Sequence, residues 1–250
     1  DLKAAVECVL TEHFGRRRSI VSFTRELAPY RSSAHLEELQ VTLEDGSVLE
    51  MMFKDPGRQV GTSRQVKPEF LADPRREIET YRTVLSNRRL NTPVFYGAVV
   101  DPSTSKHWLF LERIPGTRLK ELGEFALWES AARWAATLHL TYVPAVEELR
   151  TRDHLVKYDR AYLERWIGRA RHVSGGTAAA ASQIETLAQS YDALIERLAV
   201  LPVTLIHGEF YPSNIVVRET PAGPSVSPVD WEMAAVGPAL LDLAAITSGA

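Results

Sequence analysis

The sequence predicts an α+β protein of two lobes, the first rich in strands and the second mainly helical. Three observations predict it. Before residue 114, short strand-like apolar runs are separated by turn residues, with Asp45-Gly46 the clearest hairpin signal. After Pro115-Gly116, apolar residues recur at helical spacing over long stretches. Near the end, short apolar runs return on either side of a polar loop, His207 to Asn214. The division falls near residue 114, giving lobes 1–113 and 114–250. A cleft between two lobes is a natural place for a small molecule.

The elements follow in order. Leu2, Ala5, Val6, Val9, Leu10 and Phe14 mark an amphipathic helix over 2–14. Leu36–Leu43 and Val48–Phe53 flank Glu44-Asp45-Gly46-Ser47 as a hairpin. The second strand is expected to end at Lys54, before the breaker Asp55-Pro56-Gly57. Residues 57–74 read as loop. Asp73 can cap and Pro74 can open a helix running from Arg75 to Leu85. Strands are expected around Val94–Val100 and His107–Glu112, then helices over Leu127–Leu140, Asp159–Val173 and Gln183–Leu201. Ser174-Gly175-Gly176-Thr177 and the alanines after it read as a flexible connector. Val203–Ile206 and Ile215–Val217 read as short strands, Pro228-Val229-Asp230-Trp231 follows, and a helix starts at about Pro238. No internal repeat is visible.

Composition bounds the function. Hydrophobic residues at 45% and charged residues at 24% are those of an ordinary globular chain long enough for a full core. A net charge of −3 gives no basic excess for nucleic acid or an anionic membrane, and Arg16-Arg17-Arg18 reads as a solvated turn. Cys8 is the single cysteine, so no intrachain disulfide is expected; its apolar neighbours predict a packed thiol, and a reducing cytoplasm fits. No apolar run approaches the ~20 residues that span a bilayer, and no signal peptide is visible. The chain begins at Asp1 without a methionine, which points to a true N-terminus further upstream.

The chemistry is concentrated in His207-Gly208-Glu209-Phe210-Tyr211-Pro212-Ser213-Asn214, with Asp230 downstream. Apolar strands on both sides would hold these polar groups rigidly at the edge of a core. Phosphoryl transfer asks for a carboxylate to orient a hydroxyl and for oxygen ligands to magnesium beside the phosphates. Glu209, Asn214 and Asp230 are that inventory. An acidic hairpin with a satisfied buried aspartate would produce the same residues without chemistry.

The loop His207–Asn214 resembles the catalytic loop of aminoglycoside phosphotransferases and related choline-kinase-like enzymes, whose pattern is His-Gly-Asp, four variable residues, then Asn. Val229-Asp230-Trp231-Glu232 resembles their metal-binding segment, and Gly237-Pro238-Ala239-Leu240-Leu241-Asp242-Leu243-Ala244 the run after it. Leu138-His139 ends a helix as the family's Leu-His does. Lys54 and Arg76-Glu77 fit the phosphate-binding lysine and its ion-pair glutamate, and Trp108 to Gly116 the strand and hinge that touch adenine. The resemblance covers nearly the whole chain and implies a protein-kinase-like fold and an ATP-dependent kinase using Mg2+. The acceptor it implies is a hydroxyl on a small molecule, by default a sugar or aminoglycoside-like natural product. By the same resemblance Glu209 accepts or orients the hydroxyl proton and Asn214 and Asp230 hold the metal. Lys54 contacts the phosphates, steadied by Glu77. Backbone groups of Glu112, Arg113 and Ile114 hydrogen-bond the adenine. His207 and the buried Asp242 support the loop.

Three departures from the pattern stand out. Glu209 replaces the family's aspartate, and the extra methylene moves the carboxylate by ~1.5 Å, a displacement that can cost about a hundredfold where position is the catalysis. Two outcomes follow, a working base in a repositioned loop or a pseudokinase that binds nucleotide without transfer. The nucleotide-covering loop, Ala28 to His35, lacks glycine; Ser32 and Ser33 are its candidate phosphate donors, against an ordinary polar turn. Family members usually continue with further helices after the Asp-Leu-Ala segment, so three alternatives stand: the sequence is a fragment truncated at its C-terminal end, disordered parts are absent from it, or its acceptor site is unusually open.

Other residues read more plainly. His13, His35, His107, His154 and His172 lack metal-ligand spacing. Trp128 and Trp134 read as core. Tyr158, Asp159, Tyr162 and Trp166 fall where related enzymes build the acceptor site, although the four-residue spacing of Tyr162 and Trp166 is equally one packed helical face. Lys67 is the alternative phosphate lysine. A metal-dependent hydrolase using His207, Glu209 and Asp230 is the remaining reading; one histidine with scattered carboxylates makes a poor transition-metal site. GTP as donor, the acceptor's identity and self-association stay open.

Overall fold

A computed structural model describes residues 1–29, 34–59, 68–86, 90–173 and 178–248. Ser32, Ser33, Lys67 and the Ser174–Thr177 connector lie outside the described residues.

Helix α1, Leu2–Phe14, is capped by the Asp1 side chain, which accepts from Lys3 N at 3.2 Å. Leu2, Val6, Val9 and Leu10 face a sheet and are buried. Cys8 is exposed, which corrects the expected packed thiol. Two residues beyond Val6, it points about 200° away from it around a helix. Arg18 is likewise not simply solvated: it pairs with Asp45 and covers the Phe14 ring at 4.6 Å.

The sheet contains β1 (Ile20–Leu27), β2 (Ala34–Leu43), β3 (Val48–Gln59), β4 (Phe95–Asp101) and β5 (Lys106–Glu112). Its order is β1-β2-β3-β5-β4, with every pair antiparallel. Between β2 and β3, Leu43 N donates to Ser47 O at 2.9 Å and Gly46 N to Leu43 O at 2.9 Å. Gly46 takes φ 82°, as a three-residue hairpin loop requires. β3 continues past Lys54 to Gln59, which corrects the expected end at the Asp-Pro-Gly breaker. The pairing skips from His35–Asp55 to Ala34–Gln59, so Pro56 sits in an irregular stretch where it owes no ladder bond.

Between the sheet's third and fourth strands lies α2, Arg76–Glu79, continued as a π-helical turn over Thr80–Leu85 in which Ser86 N reaches Tyr81 O at 3.1 Å. Asp73 accepts from Arg75 N at 2.9 Å, but the helix starts one residue later than expected, at Arg76, with Arg75 as its N-cap and no side-chain cap. Ile78, Tyr81, Val84 and Leu85 are buried.

The second part comprises β6 (Thr117–Arg118), α3 (Phe125–Tyr142), α4 (Val146–Arg150), β7 (Val156–Lys157), α5 (Arg160–Val173), α6 (Ala178–Ala199), β8 (Val203–Ile206), β9 (Ile215–Arg218), β10 (Ser225–Pro228), β11 (Ala235–Pro238) and α7 (Leu240–Ser248). Two small sheets run β10-β9-β6 and β7-β11-β8. α6 begins at Ala178, so the alanines expected in a connector are helical, as suits alanine. Residues 235–238 form a strand against β8, and the last helix starts two residues later than expected. Leu138 of α3, Leu109 and Leu111 of β5, Ile78 of α2, Leu205 of β8 and Trp231 belong to one apolar cluster. That cluster joins the sheet-rich and helix-rich parts across α2, and the Tyr142 hydroxyl donates to Val84 O at 2.6 Å within it.

Candidate active site

Lys54 lies on β3, in register with Leu36 of β2 and Leu109 of β5. Its ammonium stands 2.6 Å from Glu77 Oε2 and 2.5 Å from Asp230 Oδ1. Lys54 and Glu77 are buried, and Asp230 is partly open. Burial would strip the proton from Lys54, but Asp230, Glu77 and Glu232 outweigh it and hold the pKa well above the usual lysine range. Burial pushes the Glu77 carboxyl up to about 7, against the pull of Lys54 and with the neighbouring Asp230 and Glu232 adding to the rise. Several carboxylates thus share one ammonium: the cation is firmly held, and Glu77 is left short of countercharge.

Asp230 adopts φ 69°, a left-handed conformation uncommon outside glycine and costing about 1 kcal/mol or more. Both flanks are held. Upstream, Val229 N donates to Asn214 O at 2.9 Å and Val229 O accepts from the His207 ring at 3.0 Å. Downstream, Trp231 N donates to Glu77 Oε1 at 3.1 Å.

The loop between β8 and β9 is set by buried groups. Asp242, fully buried on α7, accepts from His207 N at 2.9 Å and Gly208 N at 3.0 Å, and meets His139 Nε2 at 3.0 Å. Gly208 has φ 83°, and a Cβ there would lie 2.2 Å from Met233 O, so no other residue fits. Burial lowers the His207 pKa. A neutral ring protonated on Nε2 satisfies its carbonyl partner and leaves Nδ1 to face Glu209 N at 3.4 Å. The ring is therefore committed to main-chain groups. Asn214 donates from Nδ2 to Glu209 O at 3.0 Å, which leaves its side-chain oxygen as an acceptor.

A cavity of about 480 Å3 is lined by Lys54, Glu77, Glu112, Arg113, Ile114, Asn214 and Asp230. Among the predicted catalytic, metal and nucleotide-binding residues Lys54, Glu77, Glu112, Arg113, Ile114, Glu209, Asn214 and Asp230, Glu209 is the one that does not line it; Glu209 is half-buried on the loop that carries Asn214, on the side where Tyr158 feels its charge. Ala28, Leu36, Met52, Leu111 and Val216 supply apolar walls suited to a flat ring. The side chains of Glu112 and Arg113 are engaged elsewhere. Glu112 Oε2 accepts from Val94 N at 3.1 Å, and Arg113 pairs with Glu38 at 2.7 Å and Glu50 at 2.9 Å. Their main-chain N–H groups also stay within the protein, donating to Val94 O at 2.8 Å and Glu50 O at 3.0 Å. These two bonds engage N–H groups alone; the expectation that backbone groups of Glu112, Arg113 and Ile114 hydrogen-bond adenine is left to their carbonyls and to the Ile114 N–H.

Sequence reasoning missed Lys120, Ser213 and Met52 as cavity residues, for no local pattern sets them apart from surface or core. It also missed Asn91, which donates to Val226 O at 2.7 Å and accepts from Arg218 at 3.0 Å near the hinge. Trp134 is packed as expected, stacked on Phe210 at 5.7 Å. Tyr162 and Trp166 stand against Phe70 at 6.0 Å and 5.4 Å, an aromatic cluster on α5.

The donor set suits magnesium. Asn214 and Asp230 offer hard oxygens into one cavity beside a lysine, and such sites are completed by phosphate and water. Among the described residues no three His, Cys, Asp or Glu side chains converge as a metal cage. No described helix is long and apolar enough to cross a membrane.

A sequence profile of the phosphotransferase enzyme family matches residues 29–248. No curated protein sequence matches the chain. Among solved structures, a Plasmodium vivax ethanolamine kinase superposes with a TM-score of 0.61 at 14% identity, covering 95% of this chain and 64% of that one. The aminoglycoside phosphotransferase APH(3'')-Id of Streptomyces rimosus, in complex with ADP and streptomycin, gives 0.55 at 15% identity, covering 90% and 76%. A GDP and kanamycin complex of a further phosphotransferase of the APH(2'') type gives 0.52 at 13% identity, covering 96% and 76%. These likenesses show a kinase-like fold.

Proposed function

Because this chain belongs to the phosphotransferase enzyme family, we propose that it moves the γ-phosphoryl group of ATP to a hydroxyl of a small molecule, a sugar or an aminoglycoside-like natural product. The observation that carries the reading is the Lys54–Glu77–Asp230 cluster standing with Asn214 at one cavity.

In this reading the adenine ring occupies the apolar end of the cavity and takes a hydrogen bond from Ile114 N. Lys54 holds the phosphates as a point charge, oriented by Glu77. Asn214 and Asp230 would hold Mg2+, which would neutralise phosphate charge when bound. Glu209 accepts the proton of the acceptor hydroxyl as its oxygen bonds to the γ-phosphorus and the bond to the ADP oxygen breaks. The lobes are proposed to divide at 113/114, with the hinge segment at the boundary.

Calorimetry tests the reading. Wild type should bind AMP-PNP in the presence of Mg2+, and Asp230→Ala should abolish the metal-dependent part of the binding. A wild type that binds no nucleotide ends the proposal.

The replacement of aspartate by Glu209, and its place outside the cavity lining, favour a second reading, a pseudokinase that binds nucleotide without transfer. A screen of sugars, aminoglycosides and choline-like alcohols separates the two. Turnover by wild type supports the kinase; turnover by Glu209→Asp alone supports the pseudokinase.

A further inference from the structure

Arg76 is a charged residue that the mechanism above does not use, yet only 5% of its surface is exposed. Its guanidinium donates to three main-chain carbonyls: Nε to His154 O at 2.9 Å, Nη1 to Leu71 O at 2.9 Å, and Nη1 to Glu232 O at 2.9 Å. These carbonyls come from three separate segments. Leu71 precedes α2, His154 lies between α4 and β7, and Glu232 is two residues beyond Asp230. The next residue on the helix, Glu77, accepts from Trp231 N. Consecutive residues of α2 therefore grip the two residues after Asp230, Glu77 by accepting from the Trp231 N–H and Arg76 by donating to the Glu232 carbonyl. The gripped stretch is the one that must keep Asp230 in its left-handed conformation.

We propose that Arg76 is a positioning residue for the proposed magnesium ligand, acting through the Glu232 carbonyl to keep the Asp230 carboxylate turned to the cavity. The inference rests on the kinase reading. Arginine suits the task because its planar fork reaches several carbonyls at fixed angles, whereas the single ammonium of lysine cannot reproduce that fork. Burying such a charge is costly unless its donors are met, and here three hydrogen bonds, from Nε and Nη1, meet main chain from three directions. Loss of the fork would free the peptide after Glu232, leaving the Trp231 N–H bond to Glu77 to tie the stretch that turns the Asp230 carboxylate to the cavity.

The test compares Arg76→Lys with Tyr142→Phe, which removes the buried strut from Tyr142 to Val84 O at the other end of the same helical segment. For each protein calorimetry reads the AMP-PNP Kd with and without Mg2+, and thermal unfolding reads stability. The expected result is that Arg76→Lys cuts the Mg2+-dependent gain in affinity by about tenfold, a coupling change of ordinary size. Tyr142→Phe lowers the melting temperature and leaves that gain within about twofold of wild type. If Arg76→Lys keeps the wild-type gain, or both variants lose it in proportion to stability, Arg76 is only structural and the inference falls while the kinase reading stands. If wild type binds no AMP-PNP, the kinase reading fails and the inference fails with it.

Discussion

Lys54 shows how one side chain can hold a site's electrostatics together. Its ammonium is the countercharge for Glu77 and Asp230 at once. Lys54→Met keeps the apolar stem and removes the charge, leaving two carboxylates without their shared cation beside a buried wall. Breaking a buried pair in this way costs about 3–5 kcal/mol. The loss should depend on pH with a definite sign. Burial already raises Glu77 to about 7, and removal of the cation raises it further. A carboxyl whose folded pKa lies above its unfolded value destabilises the fold once the pH rises past the unfolded value, and stability returns as the pH falls. Urea unfolding of Lys54→Met and wild type at pH 5 and pH 8 checks this: the gap between them should be wider at pH 8. An equal gap at both would show that Lys54 contributes packing and not charge. His154 behaves in the opposite sense, since burial and nearby arginines lower its pKa to about 4, and the fold loses stability as the pH falls from 6.5 towards 4.

At the scale of elements, legibility followed how much of a pattern is local. The hairpin at Asp45-Gly46, the strand Val203–Ile206 and the helix Leu2–Phe14 each carry turn chemistry or periodicity within their own residues, and each stands where the pattern put it. β1 escaped because it is an edge strand with one fully buried residue, Ile20, and so little alternation to read. β6, β7 and β11 are two to four residues long and owe their existence to partners far away in the chain. The candidate site divides in the same way. Glu209, Asn214 and Asp230 were readable as oxygen-bearing residues clustered on short loops. Arg76 was not, because beside Glu77 on a charged helix start it looks like any solvated arginine; its burial depends on Leu71, His154 and Glu232 closing around it. The engagement of the Glu112 and Arg113 N–H groups likewise depends on the neighbouring strands, which a linear pattern does not order.

For the whole molecule the decisive feature is the apolar cluster that runs from β5 through α2 to α3 and Trp231. A two-lobed outline invites the expectation of two melting events. The shared cluster argues for one, because neither part keeps its core when the other leaves. Leu138 sits fully buried in it. Leu138→Ala should cost about 2–5 kcal/mol and lower a single thermal transition by roughly 10 °C. Differential scanning calorimetry reads both: a second transition appearing in the variant would mean that the two parts hold together less tightly than their packing implies.

The tether from Asp242 to His207 and Gly208 also has a consequence in time. A polypeptide leaves the ribosome from its first residue onward, and early segments can pack while later ones are still being made. The strands and helices around the cavity that holds Lys54 can form in that interval. The loop bearing Glu209 and Asn214 cannot settle until residue 242 has emerged and its carboxylate has reached back across 34 positions to Gly208. The proposed catalytic loop is therefore among the later parts of the described fold to set, and a nascent chain stalled before that aspartate would lack the carboxylate that fixes it.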